Sequence, residues 1–342
     1  MTKGITGSGL GFALAVTALS GEELEQLGAL DLVYLSQATP NATIEVARGT
    51  NNALAAYIRG VGRQDPIAGY ESGVGLYVDD VYYNRPQLAI LQIYDVERIE
   101  VLRGPQGTLY GRNTIGGAIK YITRRLGEGK ELNLRGRVGS YGMRDAIVTA
   151  SAPLHETLRV GGSLASFNLD GFGDNLYLPG VENYNKDISA ARASVEWLPG
   201  EDWFIRLSAD GQQDDSDLRQ GHRMKAGRYS GAPVLANVYD TRAGNVVPIA
   251  DASGLALLAE WAATDQVTLR SILASRRDET WRPGDFDSLP TVDVDVSNWD
   301  RNQQDSAELQ AIFTTGRWSG VAGLSLLDAS AVSRVEILLG TT

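Results

Sequence analysis

A chain of 342 residues is long enough for two domains and a sizeable core. Its formal charge of −11 argues against general nucleic-acid binding, which needs clustered Lys and Arg to neutralise phosphates. With no cysteine there is no disulfide framework, zinc ribbon or thiol nucleophile, and two histidines, His155 and His222, leave little room for a multi-histidine metal site.

The segment Gly4 to Gly21 is uncharged, follows Lys3 and ends in Ala18-Leu19-Ser20, a loose likeness to a signal peptide. Gly7, Gly9 and Gly11, with Thr6, Ser8 and Thr17, dilute its apolar run, so we expect the export signal to lie outside this chain. Ala13 to Leu19 reads as a strand. Ser20 then caps a helix, with Glu23 at the capping-box spacing and Leu24, Leu27 and Leu30 along one face. A second short helix is predicted around Leu32 to Ser36, ending before Pro40. Ile44 to Ala47 and Tyr57 to Arg59 predict short strands, followed by a turn at Gly60-Val61-Gly62. Val74 to Val78 predicts another, with Asp79-Asp80 at its tip and Val81 to Tyr83 continuing beyond.

The stretch Val96 to Arg125 organises the rest. Ile99 to Leu102 reads as a strand that Arg103-Gly104-Pro105 stops, because Pro105 has no amide hydrogen to give a ladder. Gly107, Gly111, Gly116 and Gly117 punctuate the segment after that stop, and Ile119, Tyr121 and Thr123, alternating with Lys120 and Ile122, restart a strand. Strand, glycine-rich knuckle and strand by themselves name no chemistry.

These residues carry a family resemblance. Ala15-Val16-Thr17-Ala18-Leu19-Ser20-Gly21-Glu22-Glu23-Leu24, Ile58-Arg59-Gly60-Val61-Gly62, Val74-Gly75-Leu76-Tyr77-Val78-Asp79-Asp80-Val81 and the Leu102-to-Gly111 run are together similar to the plug domain of TonB-dependent outer-membrane receptors. The resemblance spans about residues 13 to 126 in the family's order. It implies a globular plug that fills the lumen of a large barrel, binds substrate at its outer apex and is pulled by TonB, with ExbB and ExbD, from the periplasm.

Beyond Arg125 the signal is periodicity. Leu132, Leu134 and Val138 alternate with Asn133, Arg135 and Arg137, and Ala191, Ala193, Val195 and Trp197 with Arg192, Ser194 and Glu196. Trp203, Ile205, Leu207 and Ala209 alternate with Phe204, Arg206, Ser208 and Asp210, and Ala307, Leu309, Ala311 and Phe313 with Ser306, Glu308 and Gln310. Long strands with one apolar and one polar face suit an outer-membrane barrel, lipid outside and water or plug inside. Short turns at Pro153–Glu156, Leu198–Asp202, Ala263–Gln266 and Thr315–Arg317 alternate with long polar links at 168–187, 212–254 and 279–301. Trp197, Trp203, Trp261 and Trp318 sit beside the short turns, where an aromatic girdle belongs.

The expected fold is therefore β-rich: a small α+β plug domain (1–126), then antiparallel strands of an incomplete transmembrane β-barrel (127–327), then a tail of doubtful origin (328–342). About nine strands fit between Glu131 and Leu327, against about 22 in a plugged barrel. No TonB-contacting box is identified ahead of Ala13, and Ser333 to Gly340 echoes Glu97 to Gly104, so we expect an incomplete receptor from a chimeric or misjoined coding sequence.

Enzyme motifs fail. Gly7-Ser8-Gly9-Leu10-Gly11-Phe12 lacks the third glycine of a dinucleotide fingerprint, and Gly107 to Arg112 has no Gly-Lys-Ser/Thr. Gly139-Ser140-Tyr141-Gly142 has Val138 where a nucleophile elbow needs glycine. Neither an enzymatic activity nor a cofactor or resident metal is expected. Asp79-Asp80 could bind a hard cation, but adjacent carboxylates at a strand end usually point opposite ways, and Asp214, Asp215 and Asp217 read as a solvated loop cluster, with calcium binding as the minority reading.

By resemblance, substrate contacts belong to apical plug loops: Arg63, Gln64 and Tyr70 after the first motif, and Tyr82, Tyr83, Asn84 and Arg85 after the Asp79-Asp80 tip. Tyrosine and arginine suit an anionic metal chelate, and a sugar face nearly as well. Arg59 and Arg103, with Glu100 beside the latter, are candidates for a plug–barrel latch, and Glu196, Glu260 and Glu308 face the lumen as partners by alternation. Expected partners are TonB, a ferric chelate or other small nutrient, and outer-membrane lipid, without nucleic acid. The resemblance implies a TonB-energised uptake receptor of the bacterial outer membrane. A passive channel or adhesion barrel with a pore-blocking domain, and a soluble secreted glycan-binding β-protein, are the alternatives.

Overall fold

Ser20 ends the first strand and starts the first helix: its hydroxyl accepts from the Glu23 amide at 3.2 Å while the Glu23 carboxylate accepts from the Ser20 amide at 2.8 Å. In this computed structural model the described residues are 15–63, 65–236, 238–242, 249–291 and 293–340, so the glycine-rich segment before Ala15 lies outside them.

The N-terminal unit contains β1 (Ala15–Ser20), α1 (Gly21–Gln26), a single 3-10 turn (Leu32–Tyr34), α2 (Leu35–Ala38) and β2 (Ala42–Val46). β3 (Leu54–Ile58), β4 (Val61–Arg63), β5 (Val74–Val78), β6 (Val81–Tyr83), β7 (Val96–Arg103), α3 (Gly107–Tyr110) and β8 (Gly117–Thr123) follow. The five-stranded sheet runs β1-β7-β8-β5-β6, with β5 parallel to β8, and β2-β3-β4 form a separate sheet. Ile99, Val101 and Ile119 are fully buried on one face with Leu24, Leu32, Leu35, Ile44 and Ile58, while Leu102, Ala118 and Tyr77 fill the other. A sheet covered on both faces explains why β5 is buried throughout rather than alternating.

Two turns differ from the predicted boundaries or add detail to them. The β3–β4 hairpin turns at Arg59 (φ 53°) and Gly60 (φ 79°), leaving Val61 and Gly62 in a strand. Asp79 (φ 48°) and Asp80 (φ 66°) make the same left-handed two-residue turn between β5 and β6, which aspartate tolerates better than most residues. The glycine knuckle holds the short α3.

After Arg125 the chain builds a nine-stranded antiparallel wall in sequence order: β9 (Glu131–Val138), β10 (Arg144–His155), β11 (Leu158–Leu169), β13 (Lys186–Trp197), β14 (Trp203–Asp214), β16 (Ile249–Thr264), β17 (Val267–Arg282), β18 (Val294–Thr315) and β19 (Trp318–Leu339). The two-residue strands β12 (Asp174–Asn175) and β15 (Val238–Tyr239) pair with each other within the long links. The wall strands run further into those links than alternation predicted, reaching back to Ile249 and Val294, because polar residues on both faces mask strand character there. Residues 328–339 are the second half of β19, paired with β18 from Asp328↔Asp305 to Leu339↔Val294. Outward side chains such as Val195, Leu207, Leu273 and Leu309 remain exposed, as a lipid-facing surface requires. Trp203 and Trp261 stack at 5.3 Å on that face beside the short turns.

Candidate functional site

The inner face of the wall packs against the plug, and the contacts form a seam from the short-turn end upward. At its base Glu196, 1% exposed, lies 3.8 Å from Arg125 and 3.7 Å from Arg206, and accepts from the Leu126 amide at 3.3 Å. Arg125 also lies over the Phe204 ring at 3.3 Å. Alternation aims Glu196, Phe204 and Arg206 inward, so the first residues past the plug are fixed to the wall.

The Asp79-Asp80 turn is the next fixing point. Asp79 accepts from the Thr123 amide and hydroxyl at 2.8 and 2.7 Å and lies 3.7 Å from Arg206, which also donates to the Thr123 hydroxyl at 2.8 Å. Asp80 is held between Lys120 of the plug at 2.8 Å and Arg270 of β17 at 2.6 Å. Burial disfavours the Asp80 charge, but the two cations outweigh it and lower its carboxyl pKa to about 2. The left-handed turn makes this possible, because it lets neighbouring carboxylates reach different strands.

Higher up, Arg192 spans the rings of Tyr94 and Tyr121 at 5.1 and 5.6 Å, and Arg276, paired to Asp210 at 2.8 and 2.9 Å, covers the Tyr83 ring at 4.0 Å. Gln304 of β18 donates to the Tyr82 carbonyl at 2.5 Å and accepts from the Asn84 amide at 3.0 Å, copying the pairing of a missing strand neighbour. Asp31 meets Lys186 at 3.0 Å. Near the long links, Asn51 donates to the Ser216 and Asp217 carbonyls, Asn52 donates to Asp214 at 3.0 Å, and Arg48 lies 5.2 Å from the Phe286 ring centre.

The sequence-predicted site residues divide into three sets. Arg63 and Arg85 both donate to the Tyr70 carbonyl, Arg63 also donates to the Ile67 carbonyl, and the Arg63 guanidinium lies over the Tyr70 ring at 5.5 Å. Burial, and next the like charge of Arg85, lower the Arg63 pKa. Gln64 lies outside the described residues. Tyr82, Tyr83 and Asn84 are brought to the seam rather than to that cluster; Tyr82 accepts from Asn113 at 2.8 Å and packs on Tyr77.

Among the described residues, Arg59, Glu100 and Arg103 make no hydrogen bond or ion pair to the wall. Arg103 donates to the Pro40 carbonyl at 3.3 Å, Arg59 lies against Gly104, and Glu100 pairs with Arg98 at 2.6 Å. Two of their assigned partners are engaged elsewhere: Glu196 by Arg125 and Arg206, Glu260 by Arg270 at 3.1 Å. Glu308 accepts from Gln310 of its own strand. The Asp79 and Asp80 pairs with the wall have the reverse polarity, with carboxylates on the plug and arginines on the strands. Asp79, Asp80, Asn51 and Asn52 are among the seam residues that sequence alone did not place, with Asp31, Arg48, Arg125 and Gln304. The one available signal was a pair of adjacent aspartates at a plug strand tip, in a chain whose wall strands carry inward arginines such as Arg192 and Arg206.

Residues 11–118 match the family described as the TonB-dependent receptor plug domain. The N-terminal unit belongs to the TonB-dependent receptor plug family. This receptor is 31% identical to the pesticin receptor of Yersinia enterocolitica over 201 residues, covering 57% of this chain and 27% of that one. It is 24% identical to the ferrioxamine receptor of the same species over 246 residues, covering 70% and 31%. Among solved structures, the ferric yersiniabactin uptake receptor FyuA from Yersinia pestis matches with a TM-score of 0.79 at 21% identity, over 95% of this chain and 50% of that one. The siderophore receptor PiuA from Acinetobacter baumannii matches with a TM-score of 0.69 at 15% identity, over 93% and 46%. The receptor thus spans under a third of these curated relatives and about half of these solved chains. Its place is the outer membrane, with the plug packed on the inner face of a barrel wall.

Proposed function

We propose that this receptor takes up a ferric siderophore or a similar scarce nutrient, with TonB, served by ExbB and ExbD, supplying the energy. The observation that carries the reading is the seam: the plug is pinned to the wall by a small set of polar contacts, led by Asp80 with Arg270. Such contacts hold at rest, yet each is weak enough for a mechanical pull to break one by one. At the apex, Arg63 and Arg85 converge on the Tyr70 loop and leave Tyr70 67% exposed, which suits an anionic chelate with an aromatic face. The names of the ferrioxamine receptor and of the ferric yersiniabactin uptake receptor support the same cargo class.

The test is uptake of iron-55 ferric chelates by a receptor-deficient outer-membrane host expressing this protein, with and without TonB. Uptake confined to cells with TonB is the expected result. Equal uptake in both would establish a passive channel instead, and no uptake of any chelate would overturn the cargo assignment.

A further inference from the structure

The link between β17 and β18 carries an acidic cluster that the uptake reading does not use. Asp285 and Asp295 face each other directly across an antiparallel bridge, an arrangement that like charges destabilise. Asp287 turns in beside them, and one carboxylate oxygen from each of the three lies within 4.8 Å of the others. Hydrogen-bond donors are unevenly shared among them. Asp285 Oδ1 accepts from the Asp287 and Ser288 amides at 3.0 and 2.5 Å, and Asp287 accepts from the Leu289 and Val294 amides at 2.8 and 2.6 Å. The other Asp285 oxygen is buried with no donor. Asp295 is only 8% exposed and, among the described residues, its carboxylate has no hydrogen-bond or ion-pair partner.

Among the described residues no protein cation answers these charges. Arg223 donates to the Ser288 carbonyl but is paired with Asp240 at 2.6 Å, and Arg48 lies over the Phe286 ring. Leaving a carboxylate buried and unpaired is costly, so the arrangement lacks a positive partner.

We propose that Asp285, Asp287 and Asp295 bind a calcium ion at the long-link end of the wall. Calcium favours carboxylate oxygens at about 2.3–2.6 Å, so two ligands on one ion stand up to about 5 Å apart, which the cluster already satisfies. The ion neutralises the facing pair and ties the two arms of this link together. Because Arg48 of the plug rests on Phe286 between two of the ligands, the ion also steadies the link over the plug apex.

Equilibrium dialysis of the full chain folded in detergent against calcium-45, with calcium as the sole added divalent ion, tests this. One ion per chain is expected, with a dissociation constant on the order of 10⁻³ M or tighter. Asp295→Asn and Asp287→Asn should each weaken binding at least about tenfold, whereas Asp215→Asn, in a different link, should leave it unchanged. Asp295→Asn removes a like charge, so its melting temperature in chelator should equal or exceed the wild-type value, separating lost binding from lost folding. Absence of uptake by the folded wild type up to about 10 mM calcium, or unchanged affinity in Asp295→Asn, would overturn the assignment.

Discussion

The Asp80 carboxylate of the plug and the Arg270 guanidinium of the wall meet at 2.6 Å, with Lys120 closing on the other carboxylate oxygen at 2.8 Å. The pair joins residues 190 positions apart and bridges two folding units. Both side chains keep about a fifth of their surface, so the contact is neither a solvated surface pair nor a fully buried one. Asp80→Asn leaves Arg270 and Lys120 short of a counter-charge and should cost about 2 kcal/mol, discounted from the fully buried range for residual solvent. Hydrogen exchange should speed up across 74–83 and 117–123. Arg103→Ala, which loses a hydrogen bond to the Pro40 carbonyl, should leave those segments protected. Equal loosening by the two variants would remove Asp80 from its central place in the seam.

Acid should act through the same group. The Asp80 pKa is depressed in the folded chain, so its contribution is fully present above the unfolded value near 4 and is lost as pH falls toward about 2. Plug protection followed by hydrogen exchange in acid should therefore fall between about pH 4 and 2 in the wild type. Asp80→Asn should lack that component of the fall. An identical acid profile in both would place the transition on other carboxylates.

The parity of β9, β13, β14 and β18 was legible in the sequence, and with it the inward direction of Glu196, Arg206 and Glu308. Arg270 follows the same parity, two residues from inward Ile272. Alternation decides which face a side chain takes. It does not decide which plug residue stands opposite, because that depends on how two separately formed units dock. Hence Glu196 was aimed correctly, yet paired in expectation with Arg59 or Arg103 rather than with Arg125 and Arg206. Asp79 and Asp80 were visible as a strand tip, but their left-handed backbone, which splits the two carboxylates between Arg206 and Arg270, is a tertiary choice. The plug elements were easier to read because the capping box at Ser20 and the glycines around Gly104 and Gly111 act locally.

Gln304 offers a test of the seam without charge. Its carboxamide satisfies a backbone carbonyl and a backbone amide at once, and it is 7% exposed. Gln304→Ala strands both groups, at about 1–3 kcal/mol for buried backbone left unpaired. Gln304→Glu keeps the acceptor for Asn84 but faces the Tyr82 carbonyl with a second acceptor, so it should be no better than alanine. Amide exchange at Asn84 and Arg85 reads the effect directly. Wild-type protection in both variants would mean that water replaces the side chain at no cost.

The apex makes the last prediction. Arg63 and Arg85 donate to one carbonyl, that of Tyr70, so each alone holds part of the loop and the pair together positions the exposed ring. Two guanidinium groups so close repel, and burial adds to the strain on Arg63, whose pKa is lowered. An anionic chelate would relieve that repulsion, which links the arrangement to cargo as well as to loop order. Arg63→Ala and Arg85→Ala should each weaken ferric-chelate binding by about tenfold, with the wild-type affinity falling as salt rises and the variants showing a shallower slope. Arg→Lys at either position keeps the charge but loses the planar fork and should recover only part of the affinity. Fluorescence quenching by a titrated chelate at two salt concentrations measures all of these. A loop-ordering role alone would reduce affinity in the alanine variants but leave the salt slope at its wild-type value.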